Sequence, residues 1–226
     1  MGTRTRRAGS KLDRSAPSLD EATVRRWITT AGGEIAAQRD ALTQLDAAIG
    51  DADHGVNMDR GFQAAIAQLA TSEGSPPGEL LRQVGATLMF RVGGAAGPLY
   101  GTAFREMGAF LGDAPTLGPA ELLAALRAGL DGVQSLGAAV EGDKTMVDAW
   151  LAAIGALDAN LGRVPAPDAF TQMRNAADAG AFATTPMQAR KGRASYLGPR
   201  SVGHQDPGAT SSAIVFGALE RAVASP

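Results

Sequence analysis

Apolar residues recur at helical spacing along nearly the whole chain, and nowhere does a run of β-branched residues alternate with polar ones as a strand requires. The pattern predicts an all-α protein. Ser18 and Glu21 have the spacing of a capping box and predict a first helix ending at Gly32-Gly33. Ile35, Leu42, Leu45 and Ile49 share one face of a second helix. Met58, Phe62, Ile66 and Leu69 line a third, closed by the turn from Gly74 to Gly78. A fourth is expected from about Glu79 to Val92, after which Gly93-Gly-Ala-Ala-Gly97 leads into a fifth with Pro98 at its first position. Further helices are expected from about Pro119 to Gly137, from an Asp143 cap to about Leu161, and from Pro165-Ala-Pro167 to about Ala183. A polar, glycine-studded stretch from Thr184 to Gly203 then precedes a last helix, started by Asp206 and Pro207 and anchored by Ile214, Val215 and Leu219. About eight main helices with mostly short loops predict a single antiparallel bundle without internal repeats.

Composition refines this picture in three ways. At 226 residues, with 45% hydrophobic content and mean hydropathy near zero, the chain suits one large globular domain. The net charge of −2 argues against nucleic acid or an acidic membrane as the main partner, and no apolar stretch reaches the ~20 residues of a membrane span. Arg4, Arg6, Arg7, Lys11 and Arg14 against Asp13 give the first 17 residues a surplus of +4, leaving −6 on the remainder. These residues, 1–17, are expected to be a disordered basic extension without the apolar core of a secretory signal, and 18–226 the folded domain. The absence of cysteine excludes disulfides, thiolate metal sites and cysteine nucleophiles, and fits a cytoplasmic protein.

The polar interruptions carry the chemistry. Leu45-Asp-Ala-Ala-Ile-Gly-Asp-Ala-Asp-His-Gly-Val-Asn-Met58 packs three aspartates and a histidine into one segment. On an unbroken helix Asp46 and Asp51 would point about 140° apart and Asp53 about 200° further round, so the three could not share a face. The helix is therefore expected to stop near Gly50, letting a glycine-hinged loop fold Asp51 and Asp53 back toward Asp46. Hard cations such as Mg²⁺ favour such a set. Without one, each carboxylate pair at ~4 Å repels by roughly 1 to 4 kcal/mol. The glycine-rich entry to the fifth helix offers free N–H groups for phosphate, although close helix packing explains the same glycines. Arg190, Lys191 and Arg193 around Gly192 form either an anion grip or a solvated basic turn. Asp143 reads as an N-cap and Lys144 as solvent-exposed. Only two histidines occur, His54 and His204, both in polar, glycine-flanked loops. Together these features describe a Mg-nucleotide or Mg-phosphoester site at one end of a helical bundle.

The acidic segment, Gly97-Pro-Leu-Tyr-Gly101, Gly142-Asp-Lys-Thr-Met146, Gly192-Arg-Ala-Ser-Tyr-Leu-Gly198 and Gly203-His-Gln-Asp-Pro-Gly-Ala-Thr-Ser211 resemble, in order, the nucleotide-binding L subunits of dihydroxyacetone kinases. The resemblance runs from about Ser18 to the C-terminus. It implies an antiparallel eight-helix barrel with ADP or ATP and two Mg²⁺ at one rim. Asp46, Asp51 and Asp53 would hold the metal; His54, Gly55, Val56 and Asn57 would contact the nucleotide beside them. Ala95 and Ala96 would lie against the phosphates, Gly137 and Met146 would form the base pocket, and Arg193 with Asp206, Pro207 and Gly208 would complete the contacts. Arg193, given the catalytic role, would neutralise charge in phosphoryl transfer. Ala96 stands where the family commonly has serine, and the missing hydroxyl is expected to weaken phosphate binding by ~1 kcal/mol. The implied activity is phosphotransfer to an alcohol. A phosphohistidine on an M subunit of the sugar phosphotransferase system would rephosphorylate bound ADP, and dihydroxyacetone held on a K subunit would accept the group. The alternatives are the nucleotide module of an ATP-dependent kinase for another small ketose, and a regulatory protein that reads its ADP state. A Mg-dependent hydrolase fits least, because no histidine or carboxylate stands spare as a general base.

Overall fold

A computed structural model describes residues 18–224, so the expected disordered extension over 1–17 lies outside the described residues. Among those described, nine α-helices and one 3-10 helix carry the fold. They are α1 (Glu21–Ala37), α2 (Arg39–Ile49), α3 (His54–Leu69), α4 (Pro77–Arg91), α5 (Ala96–Leu111), α6 (Pro119–Gly137), α7 (Met146–Asn160), α8 (Ala166–Ala183), the 3-10 helix (Arg193–Ser201) and α9 (Pro207–Ala224). The all-α class holds, with one small departure: β1 (Leu19–Asp20) pairs antiparallel with β2 (Thr116–Leu117). Neighbour contacts run from α1 to α3, on through α4, α5, α6, α7, α8 and α9, and back to α1, while α2 lies against the flank of α3. No described helix is long and apolar enough to cross a membrane.

Several helix ends differ from the sequence-based expectation, each for a local reason. Asp20, not Ser18, caps α1: its Oδ1 accepts from the Thr23 N–H at 2.8 Å and from the Thr23 hydroxyl at 2.7 Å. Gly32-Gly33 does not end that helix, which continues to Ala37. Neither glycine takes a left-handed backbone, and a Cβ on Gly32 would press on Ile66 Cδ1 at 2.6 Å, so this glycine serves the approach of α1 to α3. Helix α5 begins at Ala96, two residues before Pro98. Thr145 caps α7 in place of Asp143, closing a capping box with Asp148.

The core fills the inside of this helical cycle. Trp27 and Phe104 lie with ring centroids 5.3 Å apart, Phe62 meets Phe104 edge-on, and the Trp27 indole donates to the Val215 carbonyl at 2.9 Å. Between α4 and α5 the backbones themselves touch. A Cβ on Gly85 would lie 2.6 Å from the Gly101 carbonyl, and one on Gly101 would lie 2.9 Å from that of Gly85. This contact fixes α5, and with it the glycine loop at its start, against α4.

Candidate nucleotide-magnesium site

Helix α2 stops at Ile49 with Gly50 as its C-cap. The chain then turns through Asp51 and Ala52, whose φ of +62° is left-handed, into Asp53 at the start of α3. Asp46 organises this turn. Its Oδ2 accepts from the backbone N–H groups of Asp53 at 2.9 Å and His54 at 3.1 Å, so a carboxylate from α2 supplies the anion that the α3 N-terminus lacks. Asp53 itself makes no side-chain cap bond. The result brings one carboxylate oxygen each of Asp46, Asp51 and Asp53 within 4.8 Å of one another. The donor set is all oxygen, as Mg²⁺ prefers. Arg193 reaches across from the 3-10 helix to pair with Asp51 at 3.0 Å.

This cluster sits at one end of a cavity of about 460 Å³. The glycine loop, Gly93 to Ala96, forms the adjoining wall. Gly94 is left-handed at φ +61°, and a Cβ on Gly93 would strike the Asn57 amide at 2.7 Å. Ala95 offers no capping side chain, so the first N–H groups of α5 are left uncapped where the glycine loop meets the cavity. Leu99, Val133, Leu136, Ala139, Met146 and Val147 add an apolar portion suited to a flat ring. His54 bonds through Nε2 to the Ser211 hydroxyl at 2.9 Å. That hydroxyl meets Tyr100 at 2.7 Å, Tyr100 meets Ser212 at 2.8 Å, and the Trp150 indole donates to Ser212 at 3.1 Å. Burial lowers the His54 pKa against the opposing pull of Asp46 and Asp53, favouring the neutral ring. Burial also raises that of the Tyr100 phenol, which stays protonated.

The third wall comes from the N-terminus of α9. Asp206 Oδ2 accepts from the Ala209 N–H at 2.7 Å and caps the helix. Burial pushes this carboxyl up to about 7; the Ala209 bond and the Lys144 charge oppose the rise, and Asp148 adds to it. A folded-state pKa above the ordinary 3.8 means that proton binding favours the fold. That contribution is fully present below pH 3.8 and is lost as the pH climbs through about 7. In nucleotide-free protein, Asp206→Asn is therefore expected to raise the melting temperature relative to wild type above pH 7, with the advantage shrinking toward pH 4. Paired melting curves across that range check it; an advantage independent of pH refutes the assignment.

Of the residues expected at the site, Asp46, Asp51, Asp53, His54 and Asn57 line the cavity at its acidic end. Ala95 and Ala96 border the glycine loop, Gly137 and Met146 the apolar portion, and Arg193, Asp206, Pro207 and Gly208 the remaining side. Gly55 and Val56 do not line it. Gly55 is buried, and a Cβ there would collide with the Arg39 carbonyl; Val56 is 47% exposed. Of the basic trio, Lys191 and Arg193 reach the cavity and Arg190 does not. The expectation for Lys144 was wrong: it is 1% exposed, because its ammonium bonds the carbonyls of Thr184 and His204. Sequence reading also passed over Tyr100, Ser211 and Ser212. Tyr100 and Ser211 stood inside motifs already singled out, which was the available signal.

The chain matches the DAK2 domain over residues 48–221. It is 43% identical to the ADP-binding subunit DhaL of the PEP-dependent dihydroxyacetone kinase of Escherichia coli (strain K12), over 86% of this chain and 93% of that protein. It is 41% identical to the ADP-binding subunit DhaL of the PTS-dependent dihydroxyacetone kinase of Lactococcus lactis, over 88% and 95% respectively. The fold superposes with a TM-score of 0.70 and 25% identity on the crystal structure of the dihydroxyacetone kinase from C. freundii in complex with AMP-PNP and Mg²⁺. That likeness covers 98% of this chain and 37% of the solved one.

Proposed function

Because this chain belongs to the DAK2 domain family, we propose that it is the ADP-binding, phosphoryl-transferring subunit of a PEP-dependent dihydroxyacetone kinase. A partner's phosphohistidine delivers the phosphoryl group to the nucleotide held here, and dihydroxyacetone presented by a second, K-type partner takes it up. The observation that carries this reading is the convergence of Asp46, Asp51 and Asp53 beside uncapped helix N–H groups in one cavity. Asp46, Asp51 and Asp53 would hold two Mg²⁺ between them. Bound there, the metal ions neutralise phosphate charge and orient the terminal oxygens.

The chain's own residues do the rest. The N–H groups from Gly93 to Ala96 receive the phosphate oxygens, and Leu99, Leu136 and Met146 enclose the base. Arg193 swings from Asp51 to the terminal phosphate as charge develops on it. His54, held neutral against Ser211, contacts the nucleotide without adding charge. Neither covalent catalyst nor general base is required of this subunit, since phosphoryl transfer depends on positioning and charge neutralisation. Such a relay works in the cytoplasm, where its phosphoryl donors are.

Purifying the chain without added nucleotide, denaturing it, and measuring released ADP, ATP and Mg²⁺ beside an Asp51→Ala control tests the reading. Near-stoichiometric ADP in the wild type, lost in the variant, is the expected result. Wild-type protein that is empty but binds Mg-ATP reversibly points instead to an ATP-dependent kinase. Protein that binds no nucleotide overturns the assignment.

A further inference from the structure

Lys144 is the only buried cation among the described residues, and nothing in the phosphoryl chemistry uses it. It sits in the left-handed region at φ +63°, a conformation that lysine adopts at a cost, immediately before the Thr145 cap of α7. From there its ammonium donates to the Thr184 carbonyl at 2.7 Å and to the His204 carbonyl. Those carbonyls belong to two other segments, one leaving α8 and one entering α9. The same junction is laced by further bonds: the Asp206 N–H donates to the Thr184 hydroxyl at 2.9 Å, and the Gly203 N–H to the Thr185 carbonyl at 2.8 Å. Two carbonyl dipoles brought together repel, and only a multiple donor reconciles them. An ammonium does this and also offsets the buried Asp206 carboxyl nearby.

What the junction aligns is one wall of the cavity. A Cβ built on Gly208 would stand 3.7 Å from both Cβ and N of Met146, so the α9 entrance and the α7 entrance abut. Lys144, Thr145 and Met146 line the cavity, Met146 in its apolar portion, and Asp206 to Gly208 border it. The acidic loop hangs on Asp46 and shares no bond with Lys144.

We propose that Lys144 is a positioning residue for the nucleotide: by joining the Thr184 and His204 carbonyls it sets Met146 and Asp206–Gly208 in the register that grips the nucleoside, and it leaves phosphate and metal binding to the acidic end. The proposal rests on the cavity being a Mg-nucleotide site. The Thr184 hydroxyl shares the task through the Asp206 N–H.

The test is calorimetry of Mg-ADP and of Mg-pyrophosphate binding to the nucleotide-stripped full chain, in wild type, K144M and T184V. Methionine keeps the length and loses the donors. K144M is expected to weaken ADP by about tenfold or more, the effect of stranding buried acceptors, while pyrophosphate binding changes by less than about twofold. T184V, a milder change that keeps the lysine, is expected to weaken ADP severalfold with pyrophosphate again unchanged; it carries the test if K144M does not fold. ADP affinity equal to wild type in the folded variants overturns the proposal. So does an equal loss for both ligands, which marks general loosening instead of a grip on the nucleoside. Wild-type protein that fails to bind ADP overturns the nucleotide reading itself, an outcome distinct from either.

Discussion

Asp46→Ala is expected to abolish retention of Mg-nucleotide and to lower phosphoryl transfer by about three orders of magnitude, more than Asp51→Ala does. Both changes remove one carboxylate from the cluster, but their surroundings differ. Asp51 is exposed on the turn and, among the described residues, its side chain pairs with Arg193, which swings away in the proposed cycle. Asp46 is buried, and its second oxygen holds the N–H groups of Asp53 and His54. Losing it releases the turn that aims Asp51 and Asp53 and strips the α3 N-terminus of its anion. Stability separates the two variants further. Asp46→Ala lowers the stability of the nucleotide-free protein by about 1–2 kcal/mol, as loss of a helix cap does. Asp51→Ala leaves it within about 0.5 kcal/mol, because a half-exposed ion pair contributes little and one carboxylate repulsion disappears with it. Metal-dependent nucleotide binding and denaturant melts of both variants decide the matter. Equal binding losses, or an Asp46→Ala protein as stable as wild type, contradict the role given to Asp46.

How far the sequence disclosed this site depended on the range of the interactions involved. Helical periodicity and the geometry of 100° per residue placed a break near Gly50, and α2 does end at Ile49. The glycine loop before α5 and the Asp206 start of α9 were likewise legible, because cap and turn residues act on their neighbours. What escaped was decided across the fold. Lys144 looked like a surface lysine until partners 40 and 60 residues away appeared as Thr184 and His204. His54 and Ser211, separated by 157 residues, meet only once α3 and α9 are brought together. Gly32 was misread for the same reason, since the Ile66 side chain that requires its missing Cβ lies on another helix. The motifs flagged segments that the fold brings to one cavity. Which side chain of each motif faces the cavity and which one holds the segments together was settled by packing.

Gly50→Ala is expected to empty the proposed metal site without replacing any of its proposed ligands. A Cβ at Gly50 would collide with Asp46 Oδ1, the carboxylate oxygen not engaged by the bonds to Asp53 and His54. The carboxylate cannot rotate away cheaply, because its other oxygen is held by those two N–H groups. Either the Asp46 side chain turns and abandons them, or the turn carrying Asp51 and Asp53 lifts from α2; both separate the three oxygens now within 4.8 Å. Gly50 has a negative φ of −142°, so no left-handed penalty arises, and the collision with Asp46 is what separates the variant from wild type. Overpacking of this kind costs about 1–3 kcal/mol, which the fold survives. The expected outcome is a folded protein whose helical content matches wild type and whose Mg-ADP affinity falls by about two orders of magnitude, since a loosened ligand set loses several kcal/mol of metal binding. Circular dichroism with Mg-ADP titration reads both quantities. Wild-type affinity in Gly50→Ala would show that Asp46 does not face the metal, and the site would then have to be rebuilt on Asp51 and Asp53 alone.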